Sequence, residues 1–140
     1  ADESASFGLP EVKRGLVAAA GGVFRIVEQL PRKRALALLY TGEAISAAEA
    51  DRLDLINEVV PDGTALQRAL EWAERISANA PLSVRASKRV AAGAQGGVVS
   101  AEEQGWEHTA REYAELRLTA DAQEGPLAFA EKRPPIWTAT

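Results

Sequence analysis

The spacing of apolar residues along the chain predicts a helix-rich fold. Between about Ala20 and Leu30, apolar side chains return every three to four residues, which is the period of an α-helix. Pro31 ends that helix and can occupy the first position of the next one, which should stop at Thr41-Gly42. Comparable patterns predict four more helices, over about 65–78, about 81–92, about 101–118 and a last one that ends near Arg133.

Four capping-box spacings support the helix-rich prediction. A small polar residue is followed three positions later by Glu or Gln at Ser46, Thr64, Ser100 and Asp121. Pro126 lies close to the start of the last predicted helix. Either that helix begins at Pro126, or it loses one backbone hydrogen bond near its beginning.

The strand content predicted from the sequence is small. The run Ile56–Val60 is rich in β-branched residues and ends at a Pro-Asp-Gly turn, so we expect a short strand there and a glycine-rich loop at Gly93–Gly97. One strand and the extended residues before Pro10 cannot form a sheet alone. The elements therefore need a partner surface: their own bundle, an absent N-terminal half, or other subunits.

Composition narrows the functional classes. The 140 residues are 46% hydrophobic and 26% charged, which is typical of one globular domain. A net charge of −4 argues against a nucleic-acid binder, and no apolar run is long enough to span a membrane. With no cysteine and a single histidine, His108, we expect no metal site and no thiol chemistry. No signal peptide is visible in a chain that does not begin with Met, and we expect a cytoplasmic protein.

The candidate chemistry lies in the stretch Phe7–Gly22. Glu11 follows Pro10 directly, and an apolar, small-residue segment then leads to Gly21-Gly22. A carboxylate that is kept out of water holds its proton more tightly, which suits a general acid near neutral pH. The alternative is an ordinary turn before a buried helix, and local chemistry alone leaves both readings open.

The order and spacing of these motifs resemble the crotonase (enoyl-CoA hydratase/isomerase) superfamily over essentially the whole chain. The matching segments are Phe7-Gly8-Leu9-Pro10-Glu11, Gly15-Leu16, Ala20-Gly21-Gly22 with Arg25, Ala35 to Gly42, Ile45-Ser46-Ala47, Glu49-Ala50, Val59-Val60-Pro61 and Phe129-Ala130-Glu131-Lys132-Arg133. Asp54 departs from the pattern, since the family usually has glycine there, and we expect this to change a turn rather than the chemistry.

The resemblance implies an α+β, helix-rich fold that is the C-terminal part of a crotonase-like β-β-α spiral. Residues 1–62 would end the spiral, and residues 63–140 would be trimerisation helices. The implied partners are the absent N-terminal half of the same domain and identical subunits in a trimer or a dimer of trimers. By the same resemblance, both oxyanion amides and the first catalytic glutamate of hydratases precede these 140 residues.

The resemblance also assigns site residues. Glu11 matches the second catalytic glutamate, which exchanges a proton with the carbon next to the thioester carbonyl. The backbone N–H of Ala19 matches a position, often glycine, that helps hold the reacting water. Leu16 and Val17 line the acyl pocket or are plain core residues. Other conspicuous side chains are assigned no contact with substrate: Arg85, Lys88 and Arg89 on a solvated face, Trp106 and Tyr113 in the core or a trimer contact, and His108 in a structural role.

Near the C-terminus, Phe129 and Lys132 match residues that reach the coenzyme A of a neighbouring subunit. A lysine suits a phosphate group as a mobile point charge. The alternative for Lys132 is a solvated cation that complements a helix C-terminus.

The resulting functional hypothesis is an enoyl-CoA hydratase lyase of fatty-acid breakdown (β-oxidation), acting on an acyl-CoA thioester. No cofactor is implied apart from the coenzyme A carried by the substrate. One alternative is an enoyl-CoA isomerase that uses Glu11 for proton transfer, and another is a non-catalytic crotonase-like assembly subunit. Since the oxyanion donors lie outside the chain, we expect the 140 residues to be inactive alone.

Overall fold

A computed structural model describes residues 1–140. The chain forms seven α-helices, which are α1 (Gly22–Gln29), α2 (Arg32–Thr41), α3 (Ala47–Arg52), α4 (Ala65–Ser77), α5 (Pro81–Ala91), α6 (Glu103–Leu116) and α7 (Ala120–Ala130). Two short 3₁₀-helices cover Pro10–Arg14 and Ser100–Glu102. The four strands, each of two residues, are β1 (Ser6–Phe7), β2 (Ile45–Ser46), β3 (Ala94–Gln95) and β4 (Val98–Val99). The α+β, helix-rich prediction is confirmed.

Local signals set several of the helix ends. Gly42 adopts a left-handed conformation with φ 62° and donates its N–H to the Leu38 carbonyl, which ends α2 at the predicted Thr-Gly stop. Ser46 caps α3, because its hydroxyl oxygen accepts from the Glu49 N–H at 3.2 Å. Asp54 takes the left-handed conformation, φ 56°, that glycine would adopt without strain, so the departure from the family pattern falls at a turn as expected.

The other three predicted capping boxes do not form, although Thr64 is the N-cap residue of α4 as its spacing predicts. Thr64 donates its hydroxyl to the Pro61 carbonyl, while Asp2 accepts from the first amide of α4, Ala65 N–H, at 2.9 Å. Ser100 begins a 3₁₀-helix and makes no capping bond. Asp121 already lies inside α7, because Thr119 caps that helix two positions earlier by accepting from the Ala122 N–H.

Pro126 lies in the interior of α7 and does not start it. Of the two alternatives left by the sequence, the one in which a backbone hydrogen bond is lost is therefore correct, since proline has no N–H to donate to the preceding turn. The helix ends at Ala130, before the predicted end near Arg133.

The strands form two minimal antiparallel pairs. Strands β1 and β2 pair in the register Ser6–Ser46 and Phe7–Ile45. Strands β3 and β4 form a hairpin across the segment predicted to be a glycine-rich loop, with Gly96 and Gly97 at its turn. The predicted strand Ile56–Val60 is wrong except for its last residue, because Val60 alone bridges to Asp2 and the rest has no strand beside it.

The core is concentrated in the first 60 residues. Leu30, Ala35 and Leu38 form a buried cluster between α1 and α2, and the first 3₁₀-helix packs against α2 on one side and α7 on another. Helices α4 and α5 contain no buried residue. Every helix is too short or too polar to cross a bilayer.

Candidate active site

The first 3₁₀-helix presents Glu11. Pro10 has a fixed φ and no N–H to satisfy, so it suits the helix start. Gly15, in the left-handed conformation with φ 64°, ends the helix. The Glu11 carbonyl then accepts from the Leu16 N–H at 3.0 Å. This bond closes the turn that follows the catalytic candidate.

The Glu11 side chain lines a small cavity of 110 Å³. The other lining residues are apolar or aromatic: Leu9, Val12, Val17, Ala18, Val23, Leu39 and Tyr40. Within it, the Oε2 atom of Glu11 is buried and has no hydrogen-bond partner in the chain. Buried polar atoms are nearly always paired, so an unpaired carboxylate oxygen in apolar surroundings is available to bind or exchange a proton with a ligand.

The loop from Leu16 to Gly21, called the site loop below, forms one wall of this cavity. Val17 and Ala18 line the cavity, whereas Leu16 is half-buried outside it. The Ala19 N–H donates to the Val17 carbonyl at 2.7 Å. The amide that the resemblance gives to the reacting water is thus engaged within the loop in this conformation, and the roles of Leu16 and Ala19 stay predictions.

Phe129 and Lys132 lie near the end of α7, outside the Glu11 cavity. The Arg14 guanidinium lies 4.1 Å from the centre of the Phe129 ring, which is 64% exposed. Lys132 is exposed just beyond the helix, with φ 56°, and its backbone N–H donates to the Phe129 carbonyl. The structure therefore brings Phe129 to the 3₁₀-helix that carries Glu11 in its own chain, and contact of either residue with coenzyme A stays a prediction.

Helix α7 reaches that 3₁₀-helix through two glycines. A Cβ atom built at Gly125 would overlap the backbone of Arg14, and one built at Gly15 would overlap the carbonyl of Asp121. Only glycine allows the two backbones to approach this closely. The residues around Glu11 are therefore fixed by direct backbone packing against a C-terminal helix.

A second contact with the C-terminal region joins α1 to the second 3₁₀-helix and α6, and the sequence patterns gave no sign of it. Arg25 donates to both carboxylate oxygens of Glu102, from Nε at 2.8 Å and from Nη2 at 2.5 Å. These hydrogen bonds hold the pKa of Glu102 below its ordinary value and raise that of Arg25. Trp106, predicted for the core or an assembly contact, packs here against Phe24. An ion pair between residues 77 positions apart leaves no periodic signal, so only the structure reveals it.

Comparisons of the sequence with family models and with known proteins point to the same family. A family model described as "Enoyl-CoA hydratase/isomerase" matches residues 1–140. The chain is 44% identical over 135 residues to enoyl-CoA hydratase EchA19 of Mycobacterium tuberculosis, covering 96% of this chain and 50% of the relative. It is 37% identical over 139 residues to carnitinyl-CoA dehydratase of Salmonella typhi, covering 96% and 52%.

The structural comparison agrees. A crystal structure of carnitinyl-CoA hydratase from Mycobacterium avium superposes with a TM-score of 0.98 at 68% identity, covering 100% of this chain and 54% of that one. The chain thus spans about half the length of the relatives it matches, which is consistent with the C-terminal portion predicted from the motif order. On this evidence, the chain belongs to the enoyl-CoA hydratase/isomerase family.

Proposed function

We propose that the complete protein is an enoyl-CoA hydratase and that this chain, as its C-terminal portion, supplies the proton-transfer residue Glu11. The observation that carries the proposal is the buried, unpartnered Oε2 of Glu11 in an apolar cavity. Family membership and the relative named enoyl-CoA hydratase support the acyl-CoA substrate class. Coenzyme A enters as part of that substrate, and the proposal needs no other cofactor.

The proposed chemistry adds water across the 2,3 double bond of the thioester. The water oxygen bonds to C3 while the C2–C3 π bond breaks, and the Glu11 carboxyl delivers a proton to C2. The attacking water releases one of its protons to the first glutamate, which the resemblance places before residue 1. Negative charge develops on the thioester oxygen, and two backbone N–H groups from that earlier part of the protein would stabilise it.

The exposed helices support an oligomer within the same proposal. Helices α4 and α5 carry large apolar side chains that this chain leaves in solvent, as expected of surfaces that meet the rest of the protein or other subunits. The proposed oligomer is a homotrimer or a dimer of trimers. The proposed role is in β-oxidation in the cytoplasm. We also propose that residues 1–62 end the spiral and that residues 63–140 are the assembly helices.

A second candidate substrate comes from the relatives themselves. The structure with 68% identity is named a carnitinyl-CoA hydratase, and a curated relative is named a carnitinyl-CoA dehydratase. Loss of water is the reverse of hydration, so the same proton transfer by Glu11 serves both directions. The enoyl-CoA and carnitinyl-CoA substrates are therefore rivals for one site.

The test is turnover by the purified complete protein with crotonyl-CoA, followed by loss of the enoyl absorbance, with carnitinyl-CoA and a 3-enoyl-CoA assayed in parallel. Glu11→Gln should lower kcat by about 10²- to 10⁴-fold, because general acid–base catalysis is lost. Glu28→Gln is the matched control, since Glu28 is an exposed glutamate on α1. Turnover of the 3-enoyl substrate alone would favour the isomerase, and no turnover of any substrate would favour the assembly subunit.

A further inference from the structure

The site loop is held at both ends by helices from the far end of the chain. Its first flanking residue, Gly15, packs against the backbone of α7. Its last residue, Gly21, packs against Arg25 and Trp106, and Trp106 belongs to α6. Between these two ends, Val17 and Ala18 form part of the cavity wall around Glu11. The conformation of that wall therefore depends on how α6 and α7 are docked.

At the Gly21 end, the contact is a compact polar and aromatic cluster. The Arg25 guanidinium lies over two neighbouring rings, 5.4 Å from the centre of Phe24 and 5.1 Å from that of Trp106. The rings meet edge to face with centres 5.0 Å apart. Glu102 accepts both hydrogen bonds from Arg25 and a third from Trp106 Nε1 at 3.3 Å. The planar, forked guanidinium satisfies all of these contacts at once, and a lysine ammonium cannot.

Gly21 transmits the position of this cluster to the site loop. It is buried, has φ 92°, and a Cβ atom built on it would lie 2.7 Å from Arg25 Nη1 and 2.9 Å from Trp106 Cη2. Its carbonyl also accepts a hydrogen bond from the backbone N–H of Arg25 at 3.1 Å. Displacement of the guanidinium would remove the surface against which the end of the loop rests.

We propose that Arg25 is a positioning residue, which acts through Glu102 and Trp106 to fix Gly21 and with it the site loop beside Glu11. Arg25 lies outside the Glu11 cavity, so its effect on the reaction is indirect. The kinetic part of this proposal rests on the hydratase function proposed above, and the structural part does not.

The experiment uses the complete protein with Arg25→Gln, Arg25→Lys, Glu102→Gln and the Arg25→Gln/Glu102→Gln double variant. Arg52→Gln is the matched control, because Arg52 makes a comparable ion pair with Glu49 on α3, with Nη2 and Oε1 2.6 Å apart. Amide hydrogen exchange is followed by mass spectrometry for peptides that cover residues 16–21 and for those that cover α2. Initial rates then separate kcat from KM.

Exchange in residues 16–21 should rise in Arg25→Gln, Arg25→Lys and Glu102→Gln, and remain unchanged in α2 and in Arg52→Gln. Misplacement of the cavity wall should lower kcat by about 10- to 100-fold, while KM changes by less than about 3-fold. In the double variant, loop exchange and kcat should equal those of Arg25→Gln, because the two substitutions remove the same interaction.

Unchanged exchange in the loop, or an equal rise in the loop and α2, would overturn the proposal, since the cluster would then have no local effect. A looser loop with wild-type kcat would overturn it as well. If the wild-type protein turns over no acyl-CoA, the hydratase proposal fails, and the exchange comparison alone decides whether Arg25 restrains the loop.

Discussion

Helix α2 and helix α4 both carry leucines, yet those leucines end in opposite environments. In α2, Leu38 is 5% exposed and packs with Leu30 of the α1–α2 junction. In α4, Leu66 is 73% exposed, and none of the 13 buried residues lies between positions 61 and 108. Large apolar side chains are present in both helices. What differs is whether another part of the same chain covers the apolar face.

The difference separates two kinds of packing. Around Glu11, helices α6 and α7 return to the start of the chain and complete a local core. Polar contacts tie helix α4 to the preceding segment, since Glu58 accepts from Arg68 at 2.8 Å and from Trp72 at 3.2 Å. Exposed ion pairs contribute little to the stability of the fold. The apolar faces of α4 and α5 therefore remain uncovered within this chain, and they are the surfaces on which the rest of the assembly is proposed to pack.

One substitution made in both regions gives the largest expected contrast. Leu38→Ala should lower the free energy of unfolding by about 2–5 kcal/mol, because it leaves a cavity in a buried cluster. Leu66→Ala should lower it by less than about 0.5 kcal/mol when the protein is dilute and dissociated. Urea denaturation at several protein concentrations measures both.

The concentration dependence gives this comparison its control. A Leu66→Ala cost that grows with protein concentration would show that another copy covers α4. An equal cost for the two substitutions at every concentration would contradict the contrast between the regions.

A smaller effect tests the backbone contact that docks α7. Replacing glycine by alanine inside a helix normally stabilises it by about 1 kcal/mol. At Gly125 the sign should reverse, with a loss of about 1–3 kcal/mol, because the new Cβ overlaps the Arg14 backbone. Thermal unfolding of Gly125→Ala and of the control Gln123→Ala, at an exposed position of α7, measures this. A stabilised Gly125→Ala would show that α7 is not docked as described.

The smallest expected effect concerns the segment after α7. Arg133 donates to both Glu124 oxygens and Ile136 N–H donates to one of them, which lowers the pKa of Glu124 from 4.5 to about 2. A depressed carboxyl pKa stabilises the folded state above the unfolded value, so this contribution is present above about pH 4.5 and is lost as the pH falls towards 2. An NMR titration of the Glu124 carboxyl should show this value, and Arg133→Ala should return it towards 4.5. Titration of wild-type Glu124 near 4.5 would contradict the ion pair.

Elements governed by neighbouring residues were predicted well. The stop at Gly42, the cap at Ser46 and the turn at Asp54 each depend on a few consecutive residues, and the structure places all three as expected. Thr64 lies at its predicted N-cap position, but its side chain makes no capping bond, because a distant residue, Asp2, accepts from the first amide of α4 instead. The strand at Ile56–Val60 was wrong because strand formation needs a neighbour, and only Asp2 bridges to it.

The candidate site divides in the same way. Glu11 could be chosen from its motif, because Pro10 and Gly15 shape its helix locally. Leu39 and Tyr40 of α2 also line its apolar cavity, and no local sequence pattern predicts that these residues lie beside Glu11. The Arg25–Glu102 pair joins side chains with no shared motif, so it could not be predicted at all.

The docking of α6 also bears on when the site can form during folding. Arg25 meets Glu102 only after 77 further positions have been synthesised, and contacts of such long range form slowly because the intervening chain must first lose conformational freedom. The segment that carries Glu11 is synthesised before the helices that support both ends of its loop. A ribosome-stalled chain that stops before Glu102 would therefore carry Glu11 without the support that orients the loop beside it.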